Sequence, residues 1–154
     1  MRKMESAIVI QKSPRVVWER LRSPDCWQEM TDAFASRRAA FRCVPLGGTA
    51  IGVGTEVDLT TSRGKPVLRW RVSEWSPLRS LELAGGQPES RFNPFQMMLR
   101  FQLEELDADT TRVTASLVLI FLSRVLELFS LVLPVGFLYA RGLKRALTRL
   151  RESA

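Results

Sequence analysis

Apolar and polar positions alternate through most of this chain between residues 55 and 121. Thr55, Val57 and Leu59 interleave with Glu56, Asp58 and Thr60, and Leu68, Trp70 and Val72 with Arg69, Arg71 and Ser73. Phe95, Met97, Leu99, Phe101 and Leu103 interleave with Gln96, Met98, Arg100, Gln102 and Glu104. After the turn Asp107-Ala108-Asp109-Thr110, Val113, Ala115, Leu117, Leu119 and Phe121 share one face. A period of two sends successive side chains to opposite faces, so these segments predict antiparallel strands with one dry and one wet face. Glu56, Asp58 and Glu104 fall on the wet face. Phe41 and Cys43 mark an earlier strand, and Leu81 and Leu83 another. Gly47-Gly48, Gly52-Val53-Gly54, Arg63-Gly64-Lys65-Pro66, Ser76-Pro77 and Gly85-Gly86-Gln87-Pro88 punctuate the run.

The two ends read differently. Ile8 and Ile10, in a short β-branched run, predict a first strand. Ser13-Pro14 then starts a helix, because serine caps free N–H groups and proline at the first position forfeits no bond. Val17, Trp18 and Leu21 follow at helical spacing, and Ser23-Pro24 opens a second short helix with Trp27 and Met30. From about Ser123 to Arg151, Leu126, Phe129, Leu133, Phe137, Ala140, Leu147 and Leu150 recur at helical steps. This predicts one C-terminal helix of more than twenty residues, kinked at Pro134. No βαβ alternation exists, which argues against a doubly wound sheet.

The expected fold is α+β: one domain over residues 1–154, with a curved antiparallel sheet of six to seven strands wrapped around a long C-terminal helix and two short helices after the first strand. Such a sheet can stand away from the helix at its middle and leave a cavity. Trp70, Met97, Leu99, Phe101, Leu119, Phe121, Phe129 and Leu133 are the candidate lining; the same pattern also suits a filled core. Thr55, Thr61 and Asn93 fall near the inferred mouth. Between Val125 and Tyr139 the helix is apolar almost all round, and either the short helices and the Phe92-Asn93-Pro94 loop cover its outer stripe or something else does.

Several local patterns together resemble the START/Bet v 1-like (SRPBCC) superfamily, in its polyketide cyclase/dehydrase and lipid-transport branch. They are Ile8-x-Ile10 followed by Ser13-Pro14-x-x-Val17-Trp18-x-x-Leu21, then Trp27, Gly52-Val53-Gly54, Trp70-x-Val72-x-Glu74-x-x-Pro77 and Thr111-Arg112-Val113-Thr114. The resemblance covers nearly the whole chain. It implies the helix-grip fold and a hydrophobic ligand cavity under the C-terminal helix. Members of that superfamily range from lipid carriers to cyclases, so the likeness speaks to fold more than to function.

Composition narrows the chemistry. The chain has 154 residues with 45% hydrophobic and 25% charged, which excludes a disordered or low-complexity polymer. There is no histidine, so Ser-His-Asp and Cys-His nucleophiles, histidine acid–base catalysis and His-ligated metal sites are excluded. No Gly-rich phosphate loop occurs, and the sequence carries no signal for a metal or cofactor. Glu74, in phase with Leu68, Trp70 and Val72, is the one weak catalytic candidate: a buried carboxylate there would hold a raised pKa and could move protons. Cys43 is expected inward and Cys26 half exposed, both as reduced thiols.

The net charge is +7, carried mostly by arginine. The arginines are scattered except for Arg141, Lys144, Arg145, Arg149 and Arg151, so no nucleic-acid partner is expected, while an anionic membrane surface stays open. Residues 117–139 are apolar, but Arg124 and Glu127 would each cost about 2.5–3.5 kcal/mol at a bilayer centre, which argues against a spanning helix. The N-terminal apolar stretch is too short for a secretion signal, so a cytoplasmic location is expected. The leading expectation is binding of a hydrophobic small molecule or lipid. A cyclase, aromatase or dehydratase is the enzymatic alternative, and a protein or membrane interaction module, including a homodimer, the third.

Overall fold

The computed structural model describes residues 1–34, 41–47, 51–86, 95–132 and 135–154. Strand β1 (Arg2–Ile10) leads into helices α1 (Pro14–Leu21) and α2 (Pro24–Phe34). Ser13 caps α1 in an extended conformation, its hydroxyl accepting from the Val16 N–H, with Pro14 in the first turn. Strands β2 (Phe41–Leu46), β3 (Glu56–Thr61), β4 (Pro66–Ser76), β5 (Ser80–Gly86), β6 (Phe95–Asp107) and β7 (Thr110–Phe121) follow. The chain ends in helices α3 (Arg124–Val132) and α4 (Val135–Ser153). All strand pairs are antiparallel, in one seven-stranded sheet of order β1-β7-β6-β5-β4-β3-β2. The α+β architecture expected from the alternation is thus present, with seven strands and two short helices after the first.

Register explains how one face stays dry. Met97 pairs with Leu119, Leu99 with Leu117, Phe101 with Ala115 and Leu103 with Val113. Leu81 and Leu83 continue the row through Phe101 and Leu99, and Val72 through Leu83. Onto this face α4 lays Leu143, Ala146, Leu147 and Leu150, a stripe at steps of three, one and three that is fully or almost fully buried. From α1 and α2 come Val17, Trp18, Leu21, Cys26, Trp27 and Met30. Trp18 meets Trp75 edge-to-face at 4.9 Å, and the Trp27 indole N–H donates to the Leu21 carbonyl at 2.7 Å. Thr111, fully buried, donates to the Lys12 carbonyl at 2.8 Å and pins the start of β7 to the link between β1 and α1. Arg20 joins three helices: it pairs with Glu29 at 2.8 Å and donates to Ser153 Oγ at 3.1 Å.

Two expectations are corrected. The C-terminal segment is helical over α3, with 9 residues, and α4, with 19. Leu133 and Pro134 lie between them, outside the described residues. The predicted stripe fails in its first half: Leu126, Phe129 and Phe137 are exposed, and burial starts only along α4. Asp58 is buried rather than solvated, because Arg69 on the neighbouring strand folds over it with contacts of 2.6 and 2.9 Å. No helix among the described residues is long and apolar enough to cross a membrane.

Cys26 is buried, not half exposed, and burial pushes its thiol up to about 12 from an ordinary 9.0. The folded protein keeps this proton where the unfolded chain releases it. The associated stability is complete below the unfolded pKa and is lost as pH rises from 9.0 towards 12. Urea denaturation over that range should show the unfolding free energy of the wild type falling more steeply than that of Cys26→Ala. Parallel slopes would count against a buried neutral thiol.

Candidate functional site

Between the concave face of the sheet and the helices α2 and α4 lies a cavity of about 630 Å³. Its floor includes Trp70, Met97, Leu99 and Phe101, four of the residues expected to line it. Trp27, Met30 and Phe34 of α2 form one wall; Leu138, Tyr139, Leu143 and Ala146 of α4 form another. Phe41 and Cys43 of β2 close a flank. The cavity reaches the surface beside the exposed residues Leu138, Arg141 and Arg145.

Two glycines outside the lining set the position of its aromatic walls. Gly85 faces Trp70 across the β4–β5 pair, and a Cβ there would stand 2.6 Å from two carbons of the indole. Only a bare backbone lets the ring lie over that strand. Gly142, inside α4, sits under Phe34, whose ring would be 2.8 Å from an added Cβ. A helix-interior glycine costs about 1 kcal/mol relative to alanine, and here it permits α2 and α4 to approach. Phe34 then meets Tyr139 edge-to-face at 5.5 Å.

Gln28 fastens α2 to the sheet edge. Its amide nitrogen donates to the Phe41 carbonyl at 2.8 Å, and its amide oxygen accepts from the Cys43 N–H at 2.8 Å. A single side chain thereby satisfies a donor and an acceptor of edge strand β2. Sequence reading gave no weight to Gln28, Gly85 or Gly142 as site-forming residues. A glycine within a helical pattern is a usable signal of close approach; a glutamine on a helix carries none.

The polar content of the lining is small. Thr31 donates to the Trp27 carbonyl at 2.7 Å and lies 3.1 Å from Cys43 Sγ. Burial pushes the Cys43 thiol and the Tyr139 hydroxyl above their ordinary values, so both are neutral near pH 7. No carboxylate lines the cavity among the described residues.

The other expected site residues lie elsewhere. Leu119 is buried in the core, and Phe121 is half-buried at the end of β7; neither lines the cavity. Phe129 is 61% exposed on α3, which among the described residues meets β7 and α4. Leu133 and Asn93 lie outside the described residues. Thr55 and Thr61 accept hydrogen bonds from backbone N–H groups within their own turns and do not line the cavity. Glu74 is also misplaced by periodicity. A bulge between Val72 and Glu74 shifts the register, so Glu74 faces Glu82 in the ladder and Trp75 takes the inward position. One extra residue sends everything after it to the other face. Glu74 accepts from Ser80 at 2.6 Å and pairs with Arg100 at 3.2 Å, away from the cavity. Among the described residues no three or more Cys, Asp or Glu side chains are gathered as a metal site.

No family model and no curated protein matches the chain. Solved structures share its fold. A hypothetical protein from Helicobacter pylori superposes with a TM-score of 0.71 at 15% identity, covering 99% of this chain and 87% of that one. Proteins from Nitrosospira multiformis and Chromobacterium violaceum each give a TM-score of 0.63, at 18% and 15% identity. They cover 99% and 98% of this chain and 95% of their own. At these identities the likeness is one of fold.

The contact at Gly85 is directly testable. Gly85→Ala places a methyl group against Trp70 and forces the ring towards the cavity. We expect a loss of about 1–3 kcal/mol, as for overpacked cores, with a shift in tryptophan emission. An unchanged spectrum and unchanged stability would show that the indole does not rest on this strand.

Proposed function

We propose that this protein binds a hydrophobic small molecule or lipid, without transforming it, between the sheet and α4. The observation that carries this reading is the cavity of about 630 Å³ with aromatic and aliphatic walls. Ligand pockets typically span about 300–1,000 Å³ and are lined mostly by such side chains. Affinity would come from apolar burial, worth about 25 cal/mol per Å² before ordering costs. The sequence resemblance to the START/Bet v 1-like superfamily supports the same reading. A cyclase or dehydratase would need groups that move protons at pH 7, and among the described residues the polar lining apart from Arg141 and Arg145 is the neutral Thr31, Cys43 and Tyr139 and the indoles of Trp27 and Trp70. Two free cysteines suit the cytoplasm as the site of action.

A second observation favours a membrane contact. Every residue of α3 whose burial is described is exposed, including Leu128 at 63% and Val132 at 84%. Phe137 and Leu138 extend the apolar surface into α4, and Leu138 also lines the cavity. Apart from Arg124, Glu127 and Ser130 the helix is apolar, and so much exposed apolar surface belongs against a nonpolar medium. Nine residues rise about 13.5 Å, too short to span a bilayer but enough to lie in its interface. Arg124 opens this helix, and the Arg2 guanidinium stands 3.2 Å from the Cβ position of Gly136 at the start of α4. We infer that α3 docks on an anionic bilayer with the cavity mouth facing it.

A neutral hydrophobic fluorophore should bind the folded protein. Phe101→Arg should abolish binding, because an unpaired charge in that floor is strongly unfavourable. Leu99→Trp, which fills the space without charging it, should weaken binding at least tenfold in a protein that still folds; undiminished binding by a folded Leu99→Trp would place the site elsewhere. In vesicle flotation with phosphatidylglycerol, the wild type should float at low salt, and Leu128→Lys with Val132→Glu should not. Failure of the wild type to float, with dimerisation in light scattering, would assign α3 to a second copy of the chain.

A further inference from the structure

The apolar cavity and a strongly basic groove share two residues. Arg141 and Arg145 line the cavity, and the same two line a groove of about 500 Å³ with Lys144, Thr148, Arg149 and Glu152. One helix makes the transition: Leu143 and Ala146 face the apolar space within a turn of the two arginines. The groove's carboxylate, Glu152, is held by Arg149 at 3.6 Å. Among the described residues, Arg141, Lys144 and Arg145 have no carboxylate partner. Arg141 and Arg145 are four positions apart on a helix, where like charges repel, and Arg149 repeats the spacing. The helix dipole favours cations towards the C-terminal end of α4, but it does not require that they border an apolar opening. Guanidinium groups suit an oxyanion because they donate two parallel hydrogen bonds to a carboxylate or phosphate.

We propose that the ligand is an amphiphile with an anionic end, its apolar body in the cavity and its carboxylate or phosphate on Arg141 and Arg145 at the mouth. This assignment rests on the cavity-binding reading above. Arg141 and Arg145 are specificity determinants: they select among apolar molecules by the charge at one end. Lys144 borders the groove but not the cavity and supplies only long-range attraction.

The test is competition against a neutral fluorophore by oleate, oleyl phosphate and oleyl alcohol, which share one chain. In the wild type either anion should displace the fluorophore at concentrations at least tenfold lower than the alcohol, and the margin should shrink at high salt. Arg141→Gln with Arg145→Gln should bring oleate to the level of the alcohol while leaving the alcohol unchanged. Arg141→Lys with Arg145→Lys should restore part of the margin, and Lys144→Gln should keep nearly all of it. Oleate ahead of oleyl phosphate assigns a carboxylate head, and the reverse order a phosphate head. Equal displacement by the anions and the alcohol in the wild type, or a margin that survives the double Gln variant, overturns the anionic assignment and leaves cavity binding intact. If the fluorophore binds and no competitor displaces it, or it does not bind, cavity binding itself falls.

Discussion

The stripe Leu143-Ala146-Leu147-Leu150 turns an open sheet into a container. Seven antiparallel strands with two free edges would otherwise present a broad apolar face to water. Four side chains at helical spacing cover part of that face and leave the rest as an internal space. The depth of α4 over the sheet is set by contact with α2, where Phe34 rests on the bare backbone of Gly142. Gln28 in turn holds α2 to β2. The volume left for a ligand therefore follows from a chain of close contacts running from strand edge to helix to helix.

The sheet was legible because its strands are half-buried. From Met97 to Leu103 in β6 and from Val113 to Phe121 in β7 each inward residue is apolar and most of its outward neighbours are polar, so alternation marks both the elements and the lining residues Met97, Leu99 and Phe101. Trp70 was legible for the same reason. What failed did so where local pattern and tertiary geometry part. Periodicity assumes an unbroken ladder, and the bulge in β4 moved Glu74 to the outer face. Helical spacing put Phe129 in the gripping stripe, but burial begins only along α4, and Phe129 stays outside the grip. Asp58 looked solvated because its cover is Arg69, a residue on the next strand that pattern alone also sends outward. Gly85 and Gly142 acquire meaning only from the rings that lie over them, and those contacts are not written in either glycine's own segment.

Charge and hydrophobicity are distributed unevenly over the finished molecule. The ion pairs among the described residues are mostly exposed, and such pairs contribute little stability. Arg141 and Arg145, which have no carboxylate partner among the described residues, stand on α4 at the mouth of the apolar cavity. The most exposed apolar surface, on α3, lies just before the same helix. The N-terminal end of α4 thus brings together surface, entrance and interior within a few turns.

Neither Gly85 nor Gly142 lines the cavity, yet each fixes the position of an aromatic wall. Inheritance of binding preference in such a scaffold need not run through the residues that touch a ligand. A single methyl group gained at either position moves Trp70 or Phe34, and with it the size of molecule admitted. Two chains could keep every lining side chain and still hold different cargoes. Comparisons restricted to the pocket would miss the two positions that act as its gauge.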